Sequence, residues 1–154
     1  MVRGFIVGLM LVSLSAMIHT TGLIGVAEYV IRFRERWGKR FTAINYSSLL
    51  SSVFGLITLL HLAEIFIWAA LYRLTGLLGD SESAFYFSIG SYTTMGATNI
   101  LLPQNWRLLG GLESMGGMLL FGLSTAFLFA LIRLMFQSKL KARSASSLPY
   151  REME

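Results

Sequence analysis

The chain has 154 residues, about one domain's worth, of which 55% are apolar and only 14% charged, and its mean hydropathy is +0.63. A soluble domain carries roughly 25% charged residues, so these values exclude a disordered chain, a soluble enzyme and a nucleic-acid module, and they leave an integral membrane protein. The formal charge of +5 lies in short clusters between apolar runs, as on a membrane protein's cytoplasmic face, and the lack of cysteine removes disulfides, thiol chemistry and cysteine metal sites.

A helix needs about 20 mostly apolar residues to cross the hydrocarbon. Residues 4–27 form a run of 24 without Asp, Glu, Lys or Arg. Arg3 ahead of that run fits a signal peptide, but the run exceeds a typical signal core and no small-x-small cleavage site follows it, so a retained span is expected. A basic loop follows, with Arg32, Arg34, Arg36, Lys39 and Arg40 against Glu35. The second span covers residues 42–63, with apolar character resuming past Glu64 to Tyr72, and the third covers residues 114–132.

Orientation follows the Lys/Arg count in short loops. The first loop and the tail (Arg133, Lys139, Lys141, Arg143, Arg151) are basic, whereas the opposite side holds Arg3, Arg73 and Arg107 with Asp80, Glu82 and Glu113. The expected topology is N-terminus outside and C-terminus cytoplasmic, in the cell (inner) membrane. Trp68 and Trp106 are expected at the outer interface and Trp37 near the inner one.

Residues 83–106, SAFYFSIGSYTTMGATNILLPQNW, carry no charge yet do not read as a fourth span. Gly90, Gly96 and Pro103 break the stretch and Ser88, Ser91, Thr93, Thr94 and Thr98 crowd it with hydroxyls. A fourth crossing would also place the basic tail outside. The alternative is a re-entrant loop: residues 84–94 form a helix of about 16 Å, half the hydrocarbon thickness, capped by Ser83 beside Glu82. Irregular backbone at membrane depth survives only where protein buries it or where it lines a watery cavity. In the second case its carbonyls replace an ion's hydration shell and the helix's negative end faces the cation; in the first it is a loop packed on its own helices.

The order span, half-helix, glycine-punctuated turn, span resembles the pore module of the two-transmembrane potassium channel superfamily, and in particular short bacterial proteins of the two-pore-domain type. The resemblance covers about a third of the chain, YFSIGSYTTMGATNI and WRLLGGLESMGGMLLFGLSTAFLF, against a family pattern of TTVGYGD followed by a glycine-bearing inner helix. It implies that Thr94 is the filter threonine, Met95 stands for the filter valine and Gly96 is the first filter glycine. Ala97 stands where the family has an aromatic, Thr98 where it has the second glycine and Asn99 where it has aspartate. Threonine adopts a glycine's backbone angles only at a cost, and alanine cannot brace the filter as an aromatic does. The resemblance therefore implies a homotetrameric cation pore passing potassium, and the departures put strict potassium selectivity in question, leaving a weakly selective or sodium-permeable pore, or one that conducts poorly.

The implied inner helix carries Gly116 and Gly117, read as a hinge or as close helix packing. Ionisable residues inside spans are functional hypotheses by default. Glu28 pairs with Arg32 at i,i+4, and His19 is a hydrogen-bonded histidine at a helix contact. His61 and Glu64 share one helical face at the level of the half-helix, where Glu64 can brace the filter by bonding Tyr92, Asn99 or Ser91; as metal ligands, two residues at one spacing carry little weight. Asp80, Glu82 and Glu113 would form acidic rings at the outer mouth.

The expected fold class is thus an all-α membrane protein with three transmembrane helices, a re-entrant pore helix and a filter loop. Residues 1–41 form the extra first helix and basic loop, 42–137 the pore module and 138–154 a short basic tail lying on anionic headgroups. The expected function is passive conduction of monovalent cations through residues 94–98, with no enzymatic chemistry, no cofactor or metal beyond permeant K+ or Na+, and no nucleic acid; its partners are the bilayer and further copies of itself. The competing reading is a non-conducting membrane adaptor or regulatory subunit whose filter is degenerate. A transporter fits less well, since 154 residues leave little room for paired repeats.

Overall fold

The computed structural model describes residues 2–37, 43–96 and 99–146. Ala97 and Thr98, expected as filter residues, and the basic residues Lys39, Arg40 and Arg151 lie outside the described residues. Among the described residues all regular secondary structure is helical, with α1 (Val2–Trp37), α2 (Ala43–Leu74), α3 (Ser81–Tyr92) and α4 (Leu108–Ser146). A 3-10 turn at Gln104–Trp106 leads into α4.

Three helices are long and apolar enough to cross a membrane: α1, α2 and α4, with 36, 32 and 39 residues. At 1.5 Å per residue they run roughly 50–60 Å, well past a hydrocarbon core of about 30 Å. The helices therefore extend beyond the apolar runs to carry Arg34 and Arg36 at the end of α1 and Arg73 at the end of α2. Glu28 and Arg32 form the expected i,i+4 pair at 3.2 Å, on the surface.

The helices surround two different kinds of interior. α1 lies along both α2 and α4, and α3 fills the space between α2 and α4, so α2 and α4 themselves hardly meet. At the end bearing the α1–α2 connection the core is a three-helix seam of Leu23, Val26, Val30, Leu49, Val53, Ile57, Leu131 and Met135. At the opposite, loop-rich end α3 joins, and Trp68, Tyr72, Ala84, Phe87, Leu102 and Leu109 pack together. Lipid tails are as apolar as leucine, so such helices associate through close packing and interhelical hydrogen bonds. Gly4 and Gly8, one turn apart, bring α1 against Trp106 and against Leu109 and Leu112 of α4. Large apolar side chains such as Phe5, Met17, Phe54, Phe66, Leu119 and Phe129 are left exposed, as a lipid-facing surface requires.

Two local expectations change. α3 starts at Ser81, and its N-cap is Asp80, whose carboxylate accepts the Ser83 N–H at 2.7 Å. Asp80 caps because its backbone is extended while Ser83 already lies in the first turn, where its N–H is an orphan donor. Trp68 is not at an interface: it is 1% exposed, inside the bundle, with its indole N–H donating to Ser15 Oγ of α1 at 3.3 Å.

Candidate functional site

α3 has 12 residues, so it reaches about 18 Å. Its C-terminal end meets Gly117 of α4 and Glu64 of α2. These are nine residues into α4 and ten residues short of the end of α2, roughly 14–15 Å from the loop-rich end on either count. At Gly117 the approach leaves no room for a side chain: a Cβ would overlap the Tyr92 carbonyl oxygen and lie 3.1 Å from its carbon.

The chain reverses just past this tip. Thr94 has φ 60° and Gly96 φ 81°. Glycine takes such angles freely, but a β-branched residue is strained there. The reversal is held by Thr94 N–H to the Ser91 carbonyl and Gly96 N–H to the Gly90 carbonyl, both at 3.0 Å. The Ser114 hydroxyl of α4 also donates to the Ser91 carbonyl, at 2.6 Å. Residues 93–96 are exposed on the single chain, with Met95 64% exposed. Thr94, Met95 and Gly96, expected from the sequence as filter residues, thus share one surface turn.

Behind the tip lies a closed polar ring drawn from all four helices. His19 Nδ1 is 2.9 Å from Glu64 Oε1, and His19 Nε2 is 2.8 Å from Ser124 Oγ. Ser124 Oγ is also 3.1 Å from His61 Nε2, and His61 Nδ1 is 2.8 Å from the Tyr92 hydroxyl. The Tyr92 hydroxyl donates to Glu64 Oε2 and closes the circuit. All five residues are buried, His19 and Glu64 completely. Phe121 stacks on the His61 ring at 4.3 Å and meets Tyr92 edge-on. Of the bonds expected for Glu64, the one to Tyr92 is present.

A second buried carboxylate stands nearer the loop-rich end. Glu113 was expected at the outer mouth, but it is 0% exposed: Tyr72 donates to its Oε2 at 2.7 Å, and Ser88 Oγ lies against its Oε1 while also 2.9 Å from the Ile65 carbonyl. The reason is the rotation of α4, which turns Glu113 toward α2 and α3, where hydroxyls meet it, and away from the surface. Asp80 and Glu82 are exposed and, with Asn99, Ser83, Tyr86 and Ile89, line an open depression of about 700 Å³ beside α3. The Ser83 N–H holds the Asp80 carboxyl below its ordinary range, with further help from the Ser83 side chain, the Glu82 N–H and the Arg73 charge.

Gly116 and Gly117 lie inside an unbroken helix; Gly116 faces Val12 of α1 and Gly117 faces Tyr92. Sequence reading paired His61 with Glu64 but did not connect them to His19 or Ser124, or Glu113 to Tyr72 and Ser88. The local signal present was only that each is a polar residue within an apolar run. No family model matches the chain, and no curated protein and no solved structure is significantly similar to it.

Proposed function

We propose that the protein is one subunit of a membrane channel passing monovalent cations, sodium or potassium, along an axis shared by four copies of the chain. The depth of the α3 tip carries this reading. The turn at residues 93–96 lies roughly 15 Å in from the loop-rich ends of α2 and α4, level with apolar stretches of both helices, and it is exposed on the single chain. Lipid cannot satisfy irregular backbone at that depth. Neighbouring copies around a watery axis can, and closed cyclic symmetry is the usual way identical chains surround an axis.

In this reading α3 is a re-entrant pore helix whose negative end faces the permeant ion. Thr94, Met95 and Gly96, continuing into Ala97 and Thr98, form the filter; Glu64 and Tyr92 brace it, and Gly116 and Gly117 set how the inner helix α4 moves. Asp80 and Glu82 gather cations at the mouth. The Lys/Arg distribution supports a mouth on the outside and a cytoplasmic C-terminus in this reading. The test is ion flux from liposomes containing the purified protein, with the reversal potential read under a potassium–sodium gradient. Cation flux is expected, shifting toward potassium in Ala97→Tyr/Thr98→Gly. An absence of flux across a range of pH and voltage overturns the reading.

One observation favours the alternative of a non-conducting adaptor. The last carbonyls of α3 already accept hydrogen bonds within the chain: Ile89 from Thr93, Gly90 from Gly96, and Ser91 from both Thr94 and Ser114. These carbonyls are occupied before any ion arrives. A silent protein that stably copurifies with another membrane protein would establish this second reading.

A further inference from the structure

The buried ring has more ligating chemistry than a helix contact needs. We propose that His19, His61 and Glu64, together with the Tyr92 hydroxyl, form a site for a divalent transition-metal cation of the zinc class.

The geometry comes first. One donor atom from each of His19, His61 and Glu64 falls within a 4.8 Å sphere of mutual distances, and all three residues are buried. Both Nδ1 atoms face the Glu64–Tyr92 side: His19 Nδ1 at 2.9 Å from Oε1, His61 Nδ1 at 3.6 Å from Oε2 and 2.8 Å from the Tyr92 hydroxyl. A tetrahedral zinc with bonds of 2.0–2.1 Å separates its ligands by about 3.4 Å. The contacts of 2.8, 2.9 and 3.6 Å lie on either side of that value and the three donor atoms stay within 4.8 Å of one another, so side-chain movement that draws the wider pairs together seats an ion among a nitrogen of each histidine, a Glu64 oxygen and the Tyr92 oxygen. Two imidazoles and oxygen donors suit zinc and its first-row neighbours; magnesium and calcium prefer oxygen alone.

The outer contacts fit as well. An imidazole bound to metal through Nδ1 carries its proton on Nε2, which then needs an acceptor. Both Nε2 atoms point at the same Ser124 Oγ, at 2.8 and 3.1 Å, and that oxygen has two lone pairs. A single serine on α4 thus orients ligands from α1 and α2.

Charge and protons balance. The metal-free ring has five contacts and needs five protons. The Tyr92 and Ser124 hydroxyls and two neutral imidazoles supply four, and the fifth is shared between His19 and Glu64, leaving a net charge of zero. When a divalent ion enters, that shared proton and the Tyr92 phenol proton leave, so the ion faces one carboxylate and one phenolate. The site is again neutral, which a low-dielectric interior demands, and two protons are released per ion. The site shares Glu64 and Tyr92 with the filter support proposed above, but its test reads metal content and does not depend on ion conduction.

The chain has only two histidines and no cysteine, so few other donors compete. The experiment uses the full chain, free of any histidine tag, purified in detergent and dialysed against buffered zinc and then metal-free buffer. Metal content is read by elemental analysis and coordination by the visible spectrum after cobalt replacement. The expected result is stoichiometric zinc, a tetrahedral cobalt spectrum and proton release on loading. His19→Gln, which keeps a polar side chain without a ligating nitrogen, should lose the ion. Ser124→Ala, which leaves every ligand in place, should weaken binding roughly 10–100-fold. Metal no higher than in a buffer blank, or equal retention by wild type and His19→Gln, overturns the proposal and leaves the ring a proton-closed hydrogen-bond network. If His19→Gln does not fold, Ser124→Ala decides, and unchanged zinc affinity in that variant refutes the site.

Discussion

Replacing glycines one at a time along α4 separates close packing from free bending. A Gly→Ala change inside a helix gains roughly 0.5–1 kcal/mol from propensity alone. At Gly122 no atom lies within 4 Å of the new methyl, so that gain should appear undiminished. At Gly116 the methyl meets Val12 Cγ2 at 3.3 Å, a side-chain end that can shift by a few tenths of an ångström, and the two effects should nearly cancel. At Gly117 the obstacle is the Tyr92 backbone carbonyl, which cannot rotate away, and the overlap lies well inside the 3.0 Å that real Cβ atoms keep. Overpacking of this kind costs about 1–3 kcal/mol. The tip of α3 must also move away from α4, which pulls the Tyr92 hydroxyl from Glu64 and adds a cost on the order of 0.6–2 kcal/mol per interhelical hydrogen bond lost in a membrane. The net loss at Gly117 should therefore be about 1–4 kcal/mol, and flux should fall with it. Thermal unfolding in detergent, followed by tryptophan fluorescence, reads the order Gly122→Ala above wild type, Gly116→Ala near it and Gly117→Ala clearly below. A Gly117→Ala protein as stable as wild type would refute the packing of α3 on α4; equal flux losses in all three variants with no stability difference would instead mark a bending helix.

Further outcomes follow from the other contacts. Glu113→Ala leaves the buried Tyr72 hydroxyl without its acceptor, and an orphaned buried polar group costs about 1–3 kcal/mol, so unfolding should shift down; Tyr72→Phe/Glu113→Leu together should recover much of the loss, and a double-mutant cycle measures the coupling. Thr94→Gly removes the side chain from a left-handed position that costs an L-residue roughly 1–2 kcal/mol, so the turn should become more stable, and under the proposed channel reading ion selectivity should change; unaltered reversal potentials would remove Thr94 from the proposed filter. Asp80 titrates below its ordinary value of 3.8, so the cap is fully present above that value and is lost as pH falls through the lower, folded-state pKa; amide exchange in the first turn of α3 should accelerate only in that acidic window, and Asp80→Ala should abolish the pH dependence.

Much of the architecture was legible because apolar run length maps directly onto membrane thickness. Residues 4–27 lie within α1 and 114–132 within α4, all the described residues of the 42–63 run lie within α2, and the glycine- and hydroxyl-rich stretch after Asp80 is a short helix followed by a reversal. His61 and Glu64 were placed on one face because three residues make nearly one turn. The cap of α3 was missed by three residues, since Asp, Ser and Glu in succession all suit a helix start.

What the chain determines by itself is local: how far each helix runs, which residues share its stripe, and where a turn must take a left-handed angle. Which stripes face each other was decided by the tertiary fold. His19 meets Glu64 across 45 residues and Ser124 across 105, and no periodicity within one helix specifies the rotation and depth at which another packs against it. The same rotation sends Glu113 and Trp68 inward, although their positions in sequence suit a surface. In lipid that rotation is selected by small-residue contacts such as Gly8 and Gly117 and by the pairing of buried polar groups, because surrounding hydrocarbon gives an apolar face no reason to prefer one partner over another.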